Sequence, residues 1–219
     1  KNYKNFKALN GLTMNVPKGA IYGFVGKNGA GKTTTLRCIA TLLKPTDGTV
    51  IVDGHDTVKE PEAVRASIGF LTNEIKLDPQ FSARYLFDFF GRLHQVPEDK
   101  LKERREELFS YFGIDGFEDK KIEELSTGMK QKAAIAVSLV HDPDIVIFDE
   151  PTSGLDIITA RSVTDYLLEL KKKGKLVIVS THIMSEAEKL CDRLVVIIDG
   201  RKVSEGTLDN IYSDTGKDN

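Results

Sequence analysis

The stretch GKNGAGKTT, residues 26–34, constrains this chain more than any other part of it. It places Gly26, Gly29 and Gly31 within six residues, a density of glycine that weakens any helix or strand. A strand-like apolar segment precedes the stretch and a helix-like segment follows it. The spacing fits GxxxxGK[ST], in which glycines allow successive backbone N–H groups to point at phosphate oxygens. We therefore predict a phosphate-binding loop at the start of a helix.

The polar residues of this loop are suited to nucleotide chemistry. Lys32 is expected to neutralise the β- and γ-phosphates, and Thr33 to offer its hydroxyl to Mg²⁺. The alternative is a glycine-rich turn from strand to helix that binds no ligand. The flanking strand and helix favour the nucleotide site.

A second segment, DIVIFDEPTSGLD at residues 144–156, places two carboxylates at the end of an apolar strand. Ligands of open α/β sheets gather at the carboxyl ends of the strands. Asp149 is expected to hold Mg²⁺, directly or through water, and Glu150 to accept a proton from an attacking water. Alone, such a pair is usually an ordinary strand end. Beside a phosphate-binding loop on the same sheet, it is the expected partner.

A third segment, LSTGMKQK at residues 125–132, opens a predicted helix with Ser126 as its N-cap. One interpretation is a capped helix in which Gly128 is merely tolerated. The other is a second phosphate site, made by the helix N-terminus and its serine without a lysine.

Strand and helix patterns alternate along most of the chain, which indicates a parallel sheet covered on both faces. A helix-rich stretch of roughly residues 74–141 interrupts this alternation. The predicted strands are 12–16, 20–25, 49–53, 67–71, 144–148, 176–180 and 194–198. The predicted helices are 32–43, 82–94, 97–113, one after Ser126, 158–173 and 184–192.

Composition excludes some classes of function. A net charge of −2 over 219 residues gives no electrostatic case for a nucleic-acid partner. The longest apolar runs are strand-sized, whereas a bilayer span needs about 20 residues. Cys38 and Cys191 have no motif spacing, and we expect buried, reduced thiols of a cytosolic protein.

The motifs follow one another as GKNGAGKTT, LSTGM, IVIFDEP, SGLD and STHIMSEAE. With this order the chain resembles the ATP-binding cassette (ABC) family over essentially its whole length. The resemblance implies an α/β fold: a P-loop NTPase with a RecA-like parallel-sheet core, a small antiparallel β subdomain and an inserted α-helical subdomain. It further implies a single domain over residues 1–219, with the helical subdomain at approximately 74–141.

In that family two cassettes pair head to tail and enclose two ATP molecules. The resemblance implies that Ser126 and Gly128 cradle the γ-phosphate of the ATP held by the opposite copy. It implies that the chain's own ATP and Mg²⁺ are held by its loop, through Asn28, Gly29, Ala30, Gly31, Lys32, Thr33 and Thr34.

Further roles follow from the same resemblance. Glu150 matches the catalytic base, and His182 matches the histidine that contacts the γ-phosphate and links to that base. Asp156 matches the aspartate of the loop that crosses the dimer interface. Tyr3 matches the aromatic residue that stacks on adenine, with Phe6 as the alternative.

One position departs from the family pattern. After the strand SIGFL most members place a glutamine that reaches Mg²⁺, whereas this chain has Asn73. The shorter amide is expected to contact the metal through water or only in the closed dimer. Thr33 and Asp149 still supply metal ligands.

The resemblance is strongest to the exporter-type branch, which includes sodium-extrusion, drug-resistance and multidrug ATPases. It implies an ATPase at the cytoplasmic face of the membrane that drives separate transmembrane permease subunits. The predicted aromatic cluster of the helical stretch is expected to be mostly core, with a part that forms a permease groove: Tyr85, Phe87, Phe89 and Phe90.

Two other functions remain as alternatives. One is a soluble ABC machine that acts in translation or DNA repair, although these usually carry two cassettes or a coiled-coil insertion. The other is a binding or regulatory module that does not hydrolyse ATP, which an intact Glu150 and His182 disfavour. A P-loop GTPase is disfavoured because the guanine motif NKxD is missing from the sequence.

Overall fold

A six-stranded sheet organises the chain in the computed structural model, which describes residues 1–4, 6–72 and 76–215, without the side chains of 213–215. Asn73 lies outside the described residues. The strands are β1 (Asn2–Tyr3), β2 (Phe6–Lys7), β3 (Ile21–Val25), β4 (Ile51–Val52), β5 (His55–Asp56), β6 (Ile68–Leu71), β7 (Ile145–Asp149), β8 (Leu176–Thr181), β9 (Arg193–Ile198) and β10 (Arg201–Gly206). The helices are α1 (Lys32–Ile39), α2 (Pro61–Ser67), α3 (Ala83–Leu93), α4 (Glu98–Phe112), α5 (Thr127–Ser138), α6 (Ile157–Lys172), α7 (Met184–Leu190) and α8 (Leu208–Thr215), with a 3₁₀ turn at Ile122–Glu124.

The strand order of the main sheet is β10-β9-β3-β8-β7-β6. All neighbours pair in parallel except β10 and β9, which are antiparallel. Two further sheets, β1–β2 and β4–β5, are two-stranded and antiparallel. The predicted parallel core with small antiparallel sheets is therefore confirmed.

The central strands are apolar throughout because both faces of the sheet are covered. Along β3, Ile21 and Val25 belong to one buried cluster, whereas Tyr22 and Phe24 belong to another on the opposite face. The first cluster includes side chains of α3 to α6, and the second includes side chains of α1 and α2. Alternation along a strand thus divides the core into two layers.

The helices α3, α4 and α5 lie between β6 and β7 along the chain, as the helix-rich pattern predicted. Ser82 caps α3 by accepting a hydrogen bond from the Tyr85 N–H at 3.2 Å. Gly113 ends α4 in a left-handed conformation, with φ of 64°. The division into subdomains at residues 74–141 stays a prediction.

The aromatic cluster of α3 is divided between core and surface. Phe87 is fully buried and Phe90 packs against the core. Tyr85 and Phe89 are about half exposed. Half of this cluster is therefore core, where most of it was expected to be, and the other half is the exposed part that the expectation also allowed.

Residues 12–16 were predicted as a strand, and the structure assigns no strand there. Leu12, Met14 and Val16 nevertheless pack against the second core cluster, while the residues between them are exposed. The alternation therefore indicated correctly which side chains point inward, but not a hydrogen-bonded ladder. Helices α2 and α8 and strand β10 were not predicted.

Two further features concern the cysteines and the helices of the described residues. Both cysteines are buried and free, as expected. None of the helices within residues 1–4, 6–72 and 76–215 combines the length and the hydropathy of a membrane span.

Candidate nucleotide-binding site

A cavity of about 480 Å³ lies at the carboxyl ends of β3 and β7 and against the start of α1. Most of the residues predicted to bind nucleotide in cis converge on it. It is lined by Tyr3, Phe6, Ala8, Asn28, Gly29, Gly31, Lys32, Thr33, Thr34, Asp149 and Glu150. Ala30 belongs to the second core cluster, so its side chain anchors the loop instead of lining the cavity.

Two of the loop glycines are required by close backbone approach. A Cβ at Gly26 would lie 2.3 Å from the carbonyl oxygen of Ile197 in β9. Gly31 has φ of 109°, and a Cβ there would lie 2.8 Å from the carbonyl oxygen of Ala8. Side chains at these positions would push the loop off the sheet, which explains the glycine density of the sequence.

Lys32 is only 5% exposed, and its ammonium group points into the loop. Its Nζ donates to the carbonyl oxygens of Gly26 at 2.6 Å and Lys27 at 3.2 Å. It also lies 3.8 Å from Glu150 Oε1. Burial lowers the pKa of Lys32, and the charges of Glu150 and Asp149 oppose that shift. The cation is therefore held where the loop curls around the cavity.

Asp149 is 7% exposed and accepts hydrogen bonds on both carboxylate oxygens. Thr33 Oγ1 donates to Oδ2 at 2.7 Å, and the Ser180 hydroxyl donates to Oδ1. A hydroxyl and a carboxylate oxygen in contact suit Mg²⁺, which takes few protein ligands and shares the rest with phosphates and water. No group of three or more His, Cys, Asp or Glu suited to a metal occurs among the described residues.

Glu150 follows Asp149 in a left-handed conformation, with φ of 50°, which is unusual for a residue with a side chain. Its N–H donates to the carbonyl and hydroxyl oxygens of Ser180, both at 3.1 Å. Its Oε1 lies 3.0 Å from His182 Nδ1. Since an ionised carboxylate only accepts, this contact requires the proton on Nδ1. This left-handed conformation costs about 1–3 kcal/mol. It turns the Glu150 carboxylate toward the cavity, between Lys32 and His182.

Sequence reasoning missed Ser180, which contacts both carboxylate residues. In the parallel pairing of β7 and β8, Ser180 is the partner of Asp149. Its hydroxyl is fully buried and therefore fixed. The sequence showed Ser180 at the end of an apolar strand, but not that this strand lies beside β7.

The aromatic candidates for adenine both lie at the cavity. Tyr3 and Phe6 are partners in the β1–β2 pair, and they are 41% and 61% exposed. The Lys1 Nζ lies 5.4 Å from the centre of the Tyr3 ring. Both aromatic rings therefore lie where they can stack on an adenine ring in the cavity.

His182 does not line this cavity itself but contacts Glu150, which does. Ser126, Gly128 and Asp156 lie away from the cavity. Ser126 caps α5 by accepting from the Met129 N–H at 3.3 Å. Asp156 caps α6 by accepting from the N–H of Thr159 at 3.0 Å and from its hydroxyl at 2.7 Å, and these bonds lower the pKa of Asp156. A Cβ at Gly128 would lie 3.1 Å from Thr159 Oγ1, so the N-termini of α5 and α6 adjoin. Within one chain, the residues predicted to act in trans form a second cluster.

Comparison with known proteins supports the nucleotide assignment. The family model for ABC transporters matches residues 9–153. The ABC transporter ATP-binding protein NatA of Bacillus subtilis is 41% identical over 95% of this chain and 85% of its own length. A daunorubicin resistance ATP-binding protein of Streptomyces coeruleorubidus is 38% identical over the whole chain and 69% of its own length. The Nod factor export ATP-binding protein I of Paraburkholderia xenovorans is 37% identical over 94% of the chain and 68% of its own length.

Solved structures agree with these relatives. The ATP-binding subunit of an ABC transporter superposes with a TM-score of 0.89 at 29% identity, over 95% of this chain and 87% of that chain. A dimeric ATP-binding cassette in a post-hydrolysis state with ADP and Pi superposes with a TM-score of 0.85 at 29% identity, over 93% and 91%. The chain therefore belongs to the ABC transporter family, as an ATP-binding subunit that hydrolyses ATP.

Proposed function

We propose that this chain powers an exporter by hydrolysing ATP on behalf of separate permease subunits. The observation that carries the hydrolytic part is the Glu150 carboxylate, which lies between Lys32 and His182 at the edge of the nucleotide cavity. Export rests on the relatives, whose names describe resistance to daunorubicin and export of Nod factor. By the same proposal, the chain is bound peripherally at the cytoplasmic face of the membrane, through the permease.

The loop performs the binding step. Its backbone N–H groups and the Lys32 ammonium receive the β- and γ-phosphates, so Lys32 exchanges its carbonyl partners for phosphate oxygens. Tyr3 stacks on the adenine ring, and Phe6 is the alternative. Mg²⁺, when bound through Thr33 and Asp149, neutralises phosphate charge.

The Glu150 carboxylate performs the hydrolytic step. It accepts the proton of the water that attacks the γ-phosphate, and His182 orients it through the 3.0 Å contact. Ser180 fixes the backbone from which the carboxylate projects. These three residues stand at the carboxyl end of β7 or β8 or directly after it, which keeps the distances between them short and reproducible.

Two copies are needed to complete each site. Ser126 and Gly128 offer a helix N-terminus with a capping serine, yet they lie outside the cavity that holds Lys32. A second copy turned head to tail brings its α5 to the γ-phosphate, where the N–H groups and the helix dipole favour the anion. Dimeric cassettes among the structural neighbours support this arrangement. Asp156 then lies at the interface.

The surface proposed for the permease is an apolar stripe at one-turn spacing along α3 and just before it. Phe81 and Tyr85 stack with ring centres 4.5 Å apart, and Tyr85 and Phe89 stack at 6.3 Å. Leu93 continues the stripe and is 64% exposed. Exposed apolar surface of this kind favours a protein partner.

The proposed dimer is tested by measuring mass with size-exclusion chromatography and light scattering in ATP and Mg²⁺. Glu150→Gln removes the base and keeps the side-chain volume, so we expect it to accumulate as a dimer while the wild type remains monomeric. Adding Ser126→Ala to this variant is expected to weaken the dimer. A monomer under every condition would contradict assembly by ATP alone.

The same variant separates the alternatives. Loss of steady ATP hydrolysis in Glu150→Gln excludes a module that only binds ATP. Wild-type hydrolysis in that variant would show that Glu150 is not the base. A soluble machine without a permease is tested by substituting Tyr85 and Phe89 with serine. Transport should be lost in membrane vesicles while ATP binding by the chain is retained.

A further inference from the structure

Helix α5 contacts the loop that carries the catalytic base at both ends of that loop. At the beginning, Gln131 Nε2 donates a hydrogen bond to the carbonyl oxygen of Pro151 at 3.2 Å. At the end, Gly128 packs against Asp156, and a Cβ at Gly128 would lie 3.5 Å from Asp156 Oδ2. The helix that is predicted to bind the partner's ATP therefore contacts Pro151, the residue directly after Glu150.

The loop between these contacts has internal hydrogen bonds that limit its deformation. The Ser153 N–H donates to the Glu150 carbonyl at 3.1 Å, and the Leu155 N–H donates to the Thr152 carbonyl at 3.3 Å. The Glu150 N–H is bonded to Ser180. Pro151 is covalently bonded to Glu150 within this braced loop, so a displacement of Pro151 acts directly on the Glu150 backbone.

We propose that Gln131 is a positioning residue that couples the two ATP sites of the dimer. This inference rests on the proposed head-to-tail function. Ser126 meets the ATP held by the partner, and Gln131 lies about one and a half turns further along the same helix. When α5 docks on that ATP, the hydrogen bond from the Gln131 amide fixes the position of the Pro151 carbonyl. The position of the Glu150 carboxylate, which acts on the chain's own ATP, is thereby fixed as well. Binding of ATP at one site then changes the rate of hydrolysis at the other.

A purely structural role for this hydrogen bond makes a different prediction. In that case its loss lowers stability or the rate at each site, while the two sites keep their cooperativity. Coupling requires that the dependence of the rate on ATP concentration changes as well. The Hill coefficient is therefore the informative quantity, because a local packing defect does not alter it.

The test compares Gln131→Met with the control Lys130→Ala. Methionine retains the length and apolar stem of glutamine but removes the donor, and Lys130 is an exposed neighbour on the same helix. We expect unchanged ATP binding by the isolated chain and a kcat about 3- to 10-fold lower in Gln131→Met, the range that one lost hydrogen bond allows. Its Hill coefficient should fall from the wild-type value toward one. Lys130→Ala should match the wild type in both.

Two results would overturn the coupling. One is a Gln131→Met enzyme with wild-type kcat and cooperativity, and the other is a lower kcat with an unchanged Hill coefficient. The dimer of the Glu150→Gln variant is measured separately. If that dimer forms and Gln131→Met stays as cooperative as the wild type, only the coupling fails. If wild-type hydrolysis is not cooperative and no dimer forms, the proposed function fails with it.

Discussion

Ser180→Ala tests the internal support of the site most directly. The Ser180 hydroxyl is fully buried, donates to Asp149 Oδ1 and accepts from the Glu150 N–H at 3.1 Å. Alanine removes both bonds and leaves a buried carboxylate with one donor fewer. A hydrogen bond to a charged group contributes about 1.5–3 kcal/mol. The Glu150 N–H keeps the Ser180 carbonyl as a partner, so its loss adds little.

We therefore expect the free energy of unfolding to fall by about 2 kcal/mol. Urea denaturation followed by far-UV circular dichroism measures this at pH 7. The kcat for ATP should fall about 10-fold or more, since the base and the metal-side carboxylate lose a common anchor. The structure predicts a larger effect on kcat than on the affinity for ATP, because the Ser180 hydroxyl bonds to Asp149 and Glu150 at the hydrolytic side of the site.

Ser138→Ala is the matched control. The Ser138 hydroxyl donates to the Ile135 carbonyl at 2.7 Å within α5, a bond that contributes little because the helix supplies its own hydrogen bonds. We expect a change within about 0.5 kcal/mol, since alanine is the better helix former. If Ser180→Ala is as stable and as active as this control, Ser180 does not hold the two carboxylates and the account of the site is wrong.

Three further predictions concern other parts of the chain. Lys32→Ala should abolish ATP binding in equilibrium dialysis, whereas Ser126→Ala should leave binding by the monomer nearly intact, and equal losses would refute the site in trans. Gly31→Ala should lower both stability and ATP affinity, because its Cβ would lie 2.8 Å from the Ala8 carbonyl; a neutral result would show that the loop adapts. Burial lowers the pKa of His141 to about 4, so the unfolded chain binds more protons between pH 4 and 6.5. Stability should thus fall as the pH drops through that window, by up to about 3 kcal/mol, and His141→Phe should flatten the pH profile of urea unfolding.

The sequence was sufficient for the elements that have a strong local cause. The loop residues 26–34 combine glycine spacing with a lysine and a threonine, and this combination has few uses other than phosphate binding. The apolar strands before Gly26 and Glu150 were recognisable because strands buried on both faces need continuous hydrophobic runs. Ser126 was recognisable as an N-cap because the next residues have helical periodicity. The residues assigned to ATP and Mg²⁺ stay predictions.

The predictions from sequence failed where strand pairing or side-chain packing determines the structure. The alternation of residues 12–16 specifies a buried face, but a strand also needs a neighbour for its hydrogen bonds. Aromatic residues such as Tyr85 and Phe89 suit a core as well as a docking groove, so only the packing of α3 shows that they are exposed. α2 buries only Val64 and β10 is mostly exposed, so neither carries a clear hydrophobic pattern.

By itself the sequence determined which residues form the glycine-rich loop between a strand and a helix, which carboxylates follow a buried strand, and which serine caps a helix. These are local properties, because they depend on the conformational preferences and charges of neighbouring residues. Only the tertiary structure decided the order of the strands, which sets Ser180 beside Asp149, and the approach of α5 to the loop after Glu150. Those contacts join residues 20 to 31 positions apart, and nothing in the local chain requires them until the sheet and its covering helices are packed.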